Sequence, residues 1–430
     1  MRFLHTLVLL TLISCLSSCG GVQDTNFRTL AWDDFVDKVD GGWLGQMIGV
    51  EWPAATEFKW QGEIIPFDVD NYMRLIPEYG DRWRSELRGL PRDEKMAIVN
   101  NRDNWEYFTP DGAADQDDTY IELMFLDAIK TYGVGVTQRQ VAEHWLKYMN
   151  YQRVWHANKE AHTNFKNGIW PPQSGMKEYN KHWEDIDFQI EADLFGIICP
   201  GLPQESNKWG EKYGTLMNSG EGLYGGLFVA GMYAIAYFEQ DPETIVRYGL
   251  RCIPADSKYA AKINLVLDHY TGGKTWQQAW QALEDKWKGT YTCPNSQREN
   301  SVHSIDAGIN GAYIVMGLLY GEGDFQQTIN ISTRCGQDSD CNPSNAAGIL
   351  GTAYGASWIP EKFRAPMKDF VHNQSMAEIY PAIIPRRQIV DDTINIAVQI
   401  IEGAGGEVTT DAQGNKIVRI PRQEPVAYSK

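Results

Sequence analysis

The sequence predicts an all-α fold, and three observations carry that expectation. Apolar residues recur at helical spacing along most of the chain, one late segment is built of unusually small residues, and strand signals are sparse. After Asp118-Thr119, the residues Ile121, Met124, Phe125, Ala128, Ile129 and Tyr132 fall on one stripe of a 3.6-residue helix. Gly222 to Phe238 repeats the pattern through Leu223, Leu227, Ala230, Gly231, Ala234 and Ile235, and Ile305 to Tyr320 through Ile309, Ala312, Tyr313, Met316 and Leu319. Residues 344–355, Ser-Asn-Ala-Ala-Gly-Ile-Leu-Gly-Thr-Ala-Tyr-Gly, would let neighbouring backbones approach closely, which suits the centre of a bundle. The best strand signal is 406–420, where Gly414-Asn415 separates Val408-Thr409-Thr410 from Ile417-Val418-Arg419-Ile420 and reads as a small appended hairpin. Asp391-Asp392-Thr393 reads as a helix N-cap before Ile394. Two segments, roughly 59–112 and 151–190, fit neither period. The second is polar yet rich in aromatics, from His156 through Asn164 to Trp170, and reads either as a binding loop or as a surface excursion held by its own Trp residues.

The first residues read as an export signal. Arg2 precedes an apolar run from Leu7 to Leu16, and Leu16-Ser17-Ser18-Cys19 has the form of a lipobox in which Cys19 takes a lipid. The run is far shorter than the roughly 20 residues a spanning helix needs. The expected organisation is a signal peptide at 1–18, a linker at 19–30, a helical domain at 31–403 and a hairpin extension at 404–430. The expected location is the bacterial cell envelope, by lipid anchor rather than by a membrane span. A hydrophobic fraction of 43% and 15 Trp suffice for a large core, and a formal charge of −17 without a Lys/Arg cluster excludes nucleic acid as a partner. Seven cysteines lack any CxxC spacing, so neither a zinc site nor a disulfide framework is indicated.

Chemistry concentrates in two acidic clusters, each placed where a loop enters a helix. Asp115-Gln116-Asp117-Asp118-Thr119 opens the first helix described, and Gly336-Gln337-Asp338-Ser339-Asp340-Cys341-Asn342-Pro343 opens the small-residue helix. Each alone reads as an N-cap favouring the helix dipole. If both loops meet at one end of the bundle, four carboxylates share a volume in which they cannot all stay ionised without a positive partner. Oxygen ligands without paired His or Cys select hard ions, Mg²⁺, Mn²⁺ or Ca²⁺. One or two such ions would polarise a leaving oxygen and yield a hydroxide from bound water, which is hydrolytic chemistry.

These motifs resemble those of the ADP-ribosylglycohydrolase family, which includes the glycohydrolase acting on dinitrogenase reductase. Gly41-Gly-Trp-Leu-Gly45-Gln-Met-Ile-Gly49, followed by Thr56-Glu57-Phe58, looks like the family's opening helix and its Glu. Gln116-Asp117-Asp118-Thr119 and Gly336-Gln337-Asp338-Ser339-Asp340-Cys341 look like its two acidic motifs, and the Ala-Gly-Ile-Leu-Gly run like its glycine-alanine helix. The resemblance implies a compact orthogonal multi-helix bundle and a centre for Mg²⁺ or Mn²⁺ held by Gln116, Asp117, Asp118, Asp338 and Asp340. It also implies that Glu57, or less well Glu51, orders substrate or water, so Glu57, Asp118 and Asp338 are the candidate catalytic residues. Gln116 and Cys341 stand where the family carries Thr, which leaves the metal count open between one and two. Asn158, Asn164, Glu191, Asn218 and His303, with Asp193 and Glu221, are candidates for contact with a small-molecule or glycan substrate. The expected activity is metal-dependent cleavage of a ribosyl-type or other glycosidic bond. Two other readings are a metal-free glycosidase using two carboxylates as acid and base and a binding protein that keeps the fold without turnover. A chelator separates the first two, and the third predicts binding without product.

Overall fold

The computed structural model describes residues 25–80, 87–287, 289–290 and 305–429. The expected signal peptide, Cys19, Cys293 and His303 lie outside the described residues. Among the described residues helices dominate, as expected for an all-α fold, with three small sheets. The elements that position the site are β1 (Phe27–Ala31), α1 (Trp32–Glu51), α2 (Asp117–Tyr132), α3 (His156–Lys166), α4 (Gly220–Ala236), α5 (Ala307–Gly321), α6 (Cys341–Tyr354), α7 (Arg386–Gly403), β2 (Glu407–Thr410) and β3 (Lys416–Pro421). Among the described residues, no helix is long and apolar enough to cross a membrane.

The centre of the bundle is a crossing of two small-residue stripes. Gly41, Gly45 and Gly49, four residues apart on α1, meet Gly351, Ala347 and Pro343, four residues apart on α6. A Cβ on Gly41 would lie 2.0 Å from the Gly351 carbonyl oxygen, and one on Gly49 would lie 2.3 Å from that of Pro343. The two backbones therefore touch with no side chain between them. Around this contact, α4 and α5 are buried along almost their whole length, as their continuous apolar sequence requires.

The expected hairpin is present as β2 and β3, but it is part of a three-stranded sheet in the order β1-β3-β2. Phe27 pairs with Pro421 and Ala31 with Ile417 in antiparallel register, so residues 27–30, expected as the end of a linker, form an edge strand instead. The expected N-cap at Asp391-Asp392-Thr393 is also corrected. These residues lie in the middle of α7, where Asp392 takes an ion pair from Lys130 and the buried Thr393 hydroxyl accepts the Trp43 indole N–H at 3.0 Å. A doubled Asp resembles a helix start, but the partners on α1 and α2 decide otherwise.

Candidate active site

Both acidic motifs sit at helix N-termini, and neither spends its carboxylates on capping. Asp340 occupies the N-cap position of α6 without a side-chain cap bond, and α2 likewise starts without one. Elsewhere in the same chain Asp241, Asp306 and Asp324 cap their helices in the ordinary way, accepting from Thr244, Ile309 and Gln327 N–H groups. The carboxylates of the two motifs are therefore held for something else.

The loop before α6 is clamped rather than loose. Gly336 and Gln337 both have positive φ, at 80° and 60°. Gln337 N–H donates to the Trp60 carbonyl at 2.8 Å, and Phe58 N–H donates back to the Gln337 carbonyl at 3.1 Å. The Thr56 and Ser339 hydroxyls are 2.7 Å apart. On the other side, Asn310 of α5 accepts through Oδ1 from both Asp338 N–H and the Asn342 amide. These bonds fasten residues 56–60 against 336–339 and bring Glu57 into a cleft with Asp338, Asp340, Asp117 and Gln116.

Carboxylate and sulfur atoms of Asp117, Asp118 and Cys341 lie within 4.8 Å of one another, and so do those of Asp338, Asp340 and Cys341. Both motifs thus meet in one place, as expected. Asp118, Asp338 and Asp340 are at most 4% exposed. By distance and angle neither Asp118 oxygen is hydrogen-bonded, nor is Asp338 Oδ1 or Asp340 Oδ1; their close neighbours are Cys341 and Ser344 beside Asp118, and Cys341 and Asp340 beside Asp338. Among the described residues no Lys or Arg pairs with these four aspartates; the nearby Arg153 is taken by Asp115 at 2.7 Å. Burial pushes the Asp118 carboxyl up to about 7, helped by the Asp117 charge. Burial, then the Glu57 charge, pushes Asp338 and Asp340 well above the usual carboxylate range. Buried oxygens without a hydrogen bond of ordinary geometry or a counter-charge fit a divalent cation, which would satisfy and neutralise them together.

Of the two glutamates the sequence offered, Glu57 faces Asp338 and Asp340 from the cleft wall. Glu51, in the last turn of α1, instead lies beside the Gln116 amide and the Ala114 N–H, and burial raises its pKa against both. Asn158 lines the cleft at the first turn of α3 and donates its amide to Glu191, which is wholly buried behind it. Other candidates serve the scaffold. Asn164 donates to the Ser174 and Tyr179 carbonyls, and Asn218 to those of Trp183 and Asp185 while accepting from Phe188 N–H. Asp193 accepts from Tyr233 and Asn345, and Glu221 accepts the Tyr259 N–H at the start of the 258–271 helix.

Sequence reasoning missed several wall residues: Trp155, His156, Asp187 and Arg153. Trp155 is half exposed at the cleft, and His156 holds a strained φ of 36° while meeting His182 edge to face. Asp187 accepts from Asn158 N–H at 3.1 Å and is pushed up to about 7 by burial and by Asp185. Their signal was the aromatic, polar composition of 151–190. The other irregular segment, 59–112, forms the opposite wall through residues such as Lys59, Arg74 and Lys95.

The helical bundle thus brings both acidic motifs together in one cleft. The family model of the ADP-ribosylglycohydrolases matches residues 31–392, so the chain belongs to that family, whose members hydrolyse glycosyl bonds. The fold is also similar to a solved structure described as an ADP-ribosylglycohydrolase-related protein complex, with 14% identity, a TM-score of 0.50, and coverage of 85% of this chain and 98% of that one. Among curated proteins none matches.

Proposed function

We propose that the chain is a divalent-metal-dependent glycohydrolase that cleaves a ribosyl-type or other glycosidic bond in a small, phosphate-bearing substrate at the bacterial cell envelope. The observation that carries the reading is the set of buried oxygens on Asp118, Asp338 and Asp340 that make no hydrogen bond of ordinary geometry and gather in two groups around the Cys341 sulfur. Asp117, Asp118, Asp338 and Asp340, with the Gln116 amide oxygen, would hold a cation of the Mg²⁺ or Mn²⁺ type. Such an ion supplies a Lewis acid and a water of lowered pKa. Glu57 lines the same cleft beside Asp338 and Asp340, where its carboxylate would order a water and take up its proton.

Charge and size support the substrate class. In a chain of net charge −17, the cleft nonetheless carries Lys59, Arg74, Arg92, Lys95 and Arg153 along its walls. Arg74, Arg92 and Arg153 pair with Glu106, Glu63 and Asp115, so a ligand whose phosphates stay at the mouth while its sugar reaches the carboxylates would share or displace these pairs. The cleft volume of about 1530 Å³ exceeds the roughly 300–1,000 Å³ of ordinary small-molecule pockets, enough for a nucleotide-sized ligand. Trp155 is exposed in position to stack on a base or sugar face.

The test is turnover of ADP-ribosyl conjugates and aryl glycosides with Mg²⁺ or Mn²⁺, with chelator, and with Asp338→Asn. Hydrolysis that needs the metal and is lost in the variant supports the reading. Hydrolysis indifferent to chelator overturns the metal dependence, and ligand binding without product overturns turnover. Envelope location rests on the Leu16-Ser17-Ser18-Cys19 motif, and labelled fatty acid should enter the wild-type chain and not Cys19→Ser.

A further inference from the structure

Resting on that metal-site reading, the structure assigns Cys341 as a ligand, and we propose that its sulfur makes the centre prefer a first-row transition ion to Mg²⁺. Cys341 is the one residue common to both ligand groups: its Sγ lies within 4.8 Å of donor oxygens of Asp117 and Asp118 and, separately, of Asp338 and Asp340. Sulfur therefore sits at the junction of the two carboxylate pairs, not at their margin.

Three further observations support the assignment. First, Cys341 lines the cleft, whereas Cys199, Cys252 and Cys335 do not and are each wholly buried in the core. Cys335 packs its sulfur against Met316 at 3.7 Å, and Cys252 points its own at the Tyr248 carbonyl. Second, Cys341 is the first residue of α6, so its place is set by the backbone contact of α6 on α1. Gly49 of α1 touches Pro343, two residues further on, with no room for a Cβ. That contact fixes the Cα and Cβ of Cys341 at the junction, so only a χ1 rotation moves the sulfur. Third, the buried carboxylate oxygens around it make no hydrogen bond of ordinary geometry, and Cys341 is the neighbour that Asp118 and Asp338 share, so an ion entering there would meet oxygen and sulfur donors at once.

A hard ion gains little from sulfur, while affinity for thiolate-bearing sites climbs from Mn²⁺ through Fe²⁺ and Co²⁺ to Zn²⁺. Coordination releases the S–H proton to solvent as the metal–sulfur bond forms, with no change of oxidation state. A site of four carboxylates alone would take Mg²⁺. One sulfur shared between the pairs tilts the choice toward the transition series while keeping the anionic oxygens that hydrolytic chemistry uses.

The experiment is optical and independent of turnover. The full chain, stripped with chelator, is titrated with Co²⁺ and followed for a sulfur-to-cobalt charge-transfer band in the near ultraviolet. Wild type should bind Co²⁺ stoichiometrically with the band present, and Cys341→Ser and Cys341→Ala should bind Co²⁺ without it. Mg²⁺ should displace Co²⁺ from the variants at concentrations about 10–100-fold lower than from wild type. Stoichiometric Co²⁺ uptake with no band in wild type, or a band surviving in both variants, overturns the sulfur ligand while leaving the metal centre in place. Absence of Co²⁺ uptake by wild type and Asp338→Asn alike overturns the metal centre itself.

Discussion

Gly45 of α1 and Ala347 of α6 meet backbone to backbone: a Cβ on Gly45 would lie 2.3 Å from the Ala347 carbonyl oxygen. The contact is the middle of the stripe that seats α6, and α6 begins with the residues of the site. Gly45→Ala should therefore separate the helices, at a cost of about 1–3 kcal/mol or more, and weaken ion binding with it. Thermal unfolding with and without divalent ion checks this. A variant with unchanged melting temperature and ion affinity would mean that the crossing does not hold the site.

Glu57 faces the aspartate cluster from a segment clamped by the 56–60 to 336–339 hydrogen bonds. Glu57→Gln keeps size and position while removing the base. Turnover should fall about 10²–10⁴-fold with ion binding nearly intact, measured by kinetics beside calorimetric titration. An equal fall in both would make Glu57 a ligand rather than a base.

Asn310 holds Asp338 N–H and the Asn342 amide through one oxygen, at 3.3 and 2.8 Å, in a wholly buried position. Asn310→Ala should leave both donors unpaired, destabilising by about 1–3 kcal/mol and reducing ion affinity about 10–100-fold. Denaturant unfolding and ion titration read the two effects separately.

Asp187 gives a pH dependence with a definite sign. Its carboxyl is raised to about 7 in the folded chain by burial and by Asp185, against about 3.9 unfolded. The folded state therefore binds the proton more tightly, and this group's stabilisation is full below about pH 4 and lost as pH rises through about 7. Asp187→Asn should flatten that part of the decline, seen as a smaller fall in melting temperature between pH 5 and about 8 than wild type shows.

Thr393→Val removes the buried acceptor of the Trp43 indole N–H. The expected loss is about 1–3 kcal/mol, read by urea unfolding, with ion affinity unchanged because Thr393 lies on α7 away from the cleft.

The helices and the two acidic motifs were legible because their signals are local: an apolar stripe fixes a helix, and Asp at its start fixes which end is acidic. That the two ends meet required the resemblance, since no local rule joins Asp118 to Asp338. Thr393 was misread because Asp-Asp-Thr looks like a helix start, and only Lys130 and Trp43, distant in sequence, show that it is not. Residues 27–30 hid for a similar reason, their strand existing through pairing with 417–421. Asn164 and Asn218 looked like substrate contacts but were claimed by loop carbonyls, which composition does not reveal. The 151–190 wall showed in the sequence only as a candidate binding segment, because its helix His156–Lys166 is polar and its wall residues are set by tertiary contacts rather than by a period.

The pairing of β1 with β3 also fixes when the molecule can finish folding. Phe27–Ala31 leaves the ribosome early, yet its partner strand ends at Pro421. At about 5–20 residues per second, the first strand waits roughly tens of seconds for its mate. The α1–α6 crossing also joins residues far apart in sequence, Gly45 with Ala347, which makes for slow closure. An ion at the carboxylates thus cannot help an early intermediate, since Glu57, Asp118 and Asp340 come together only after most of the chain has been made. A nascent chain halted before residue 341 would expose the whole glycine face of α1, a surface for a chaperone or a protease to read as unfinished.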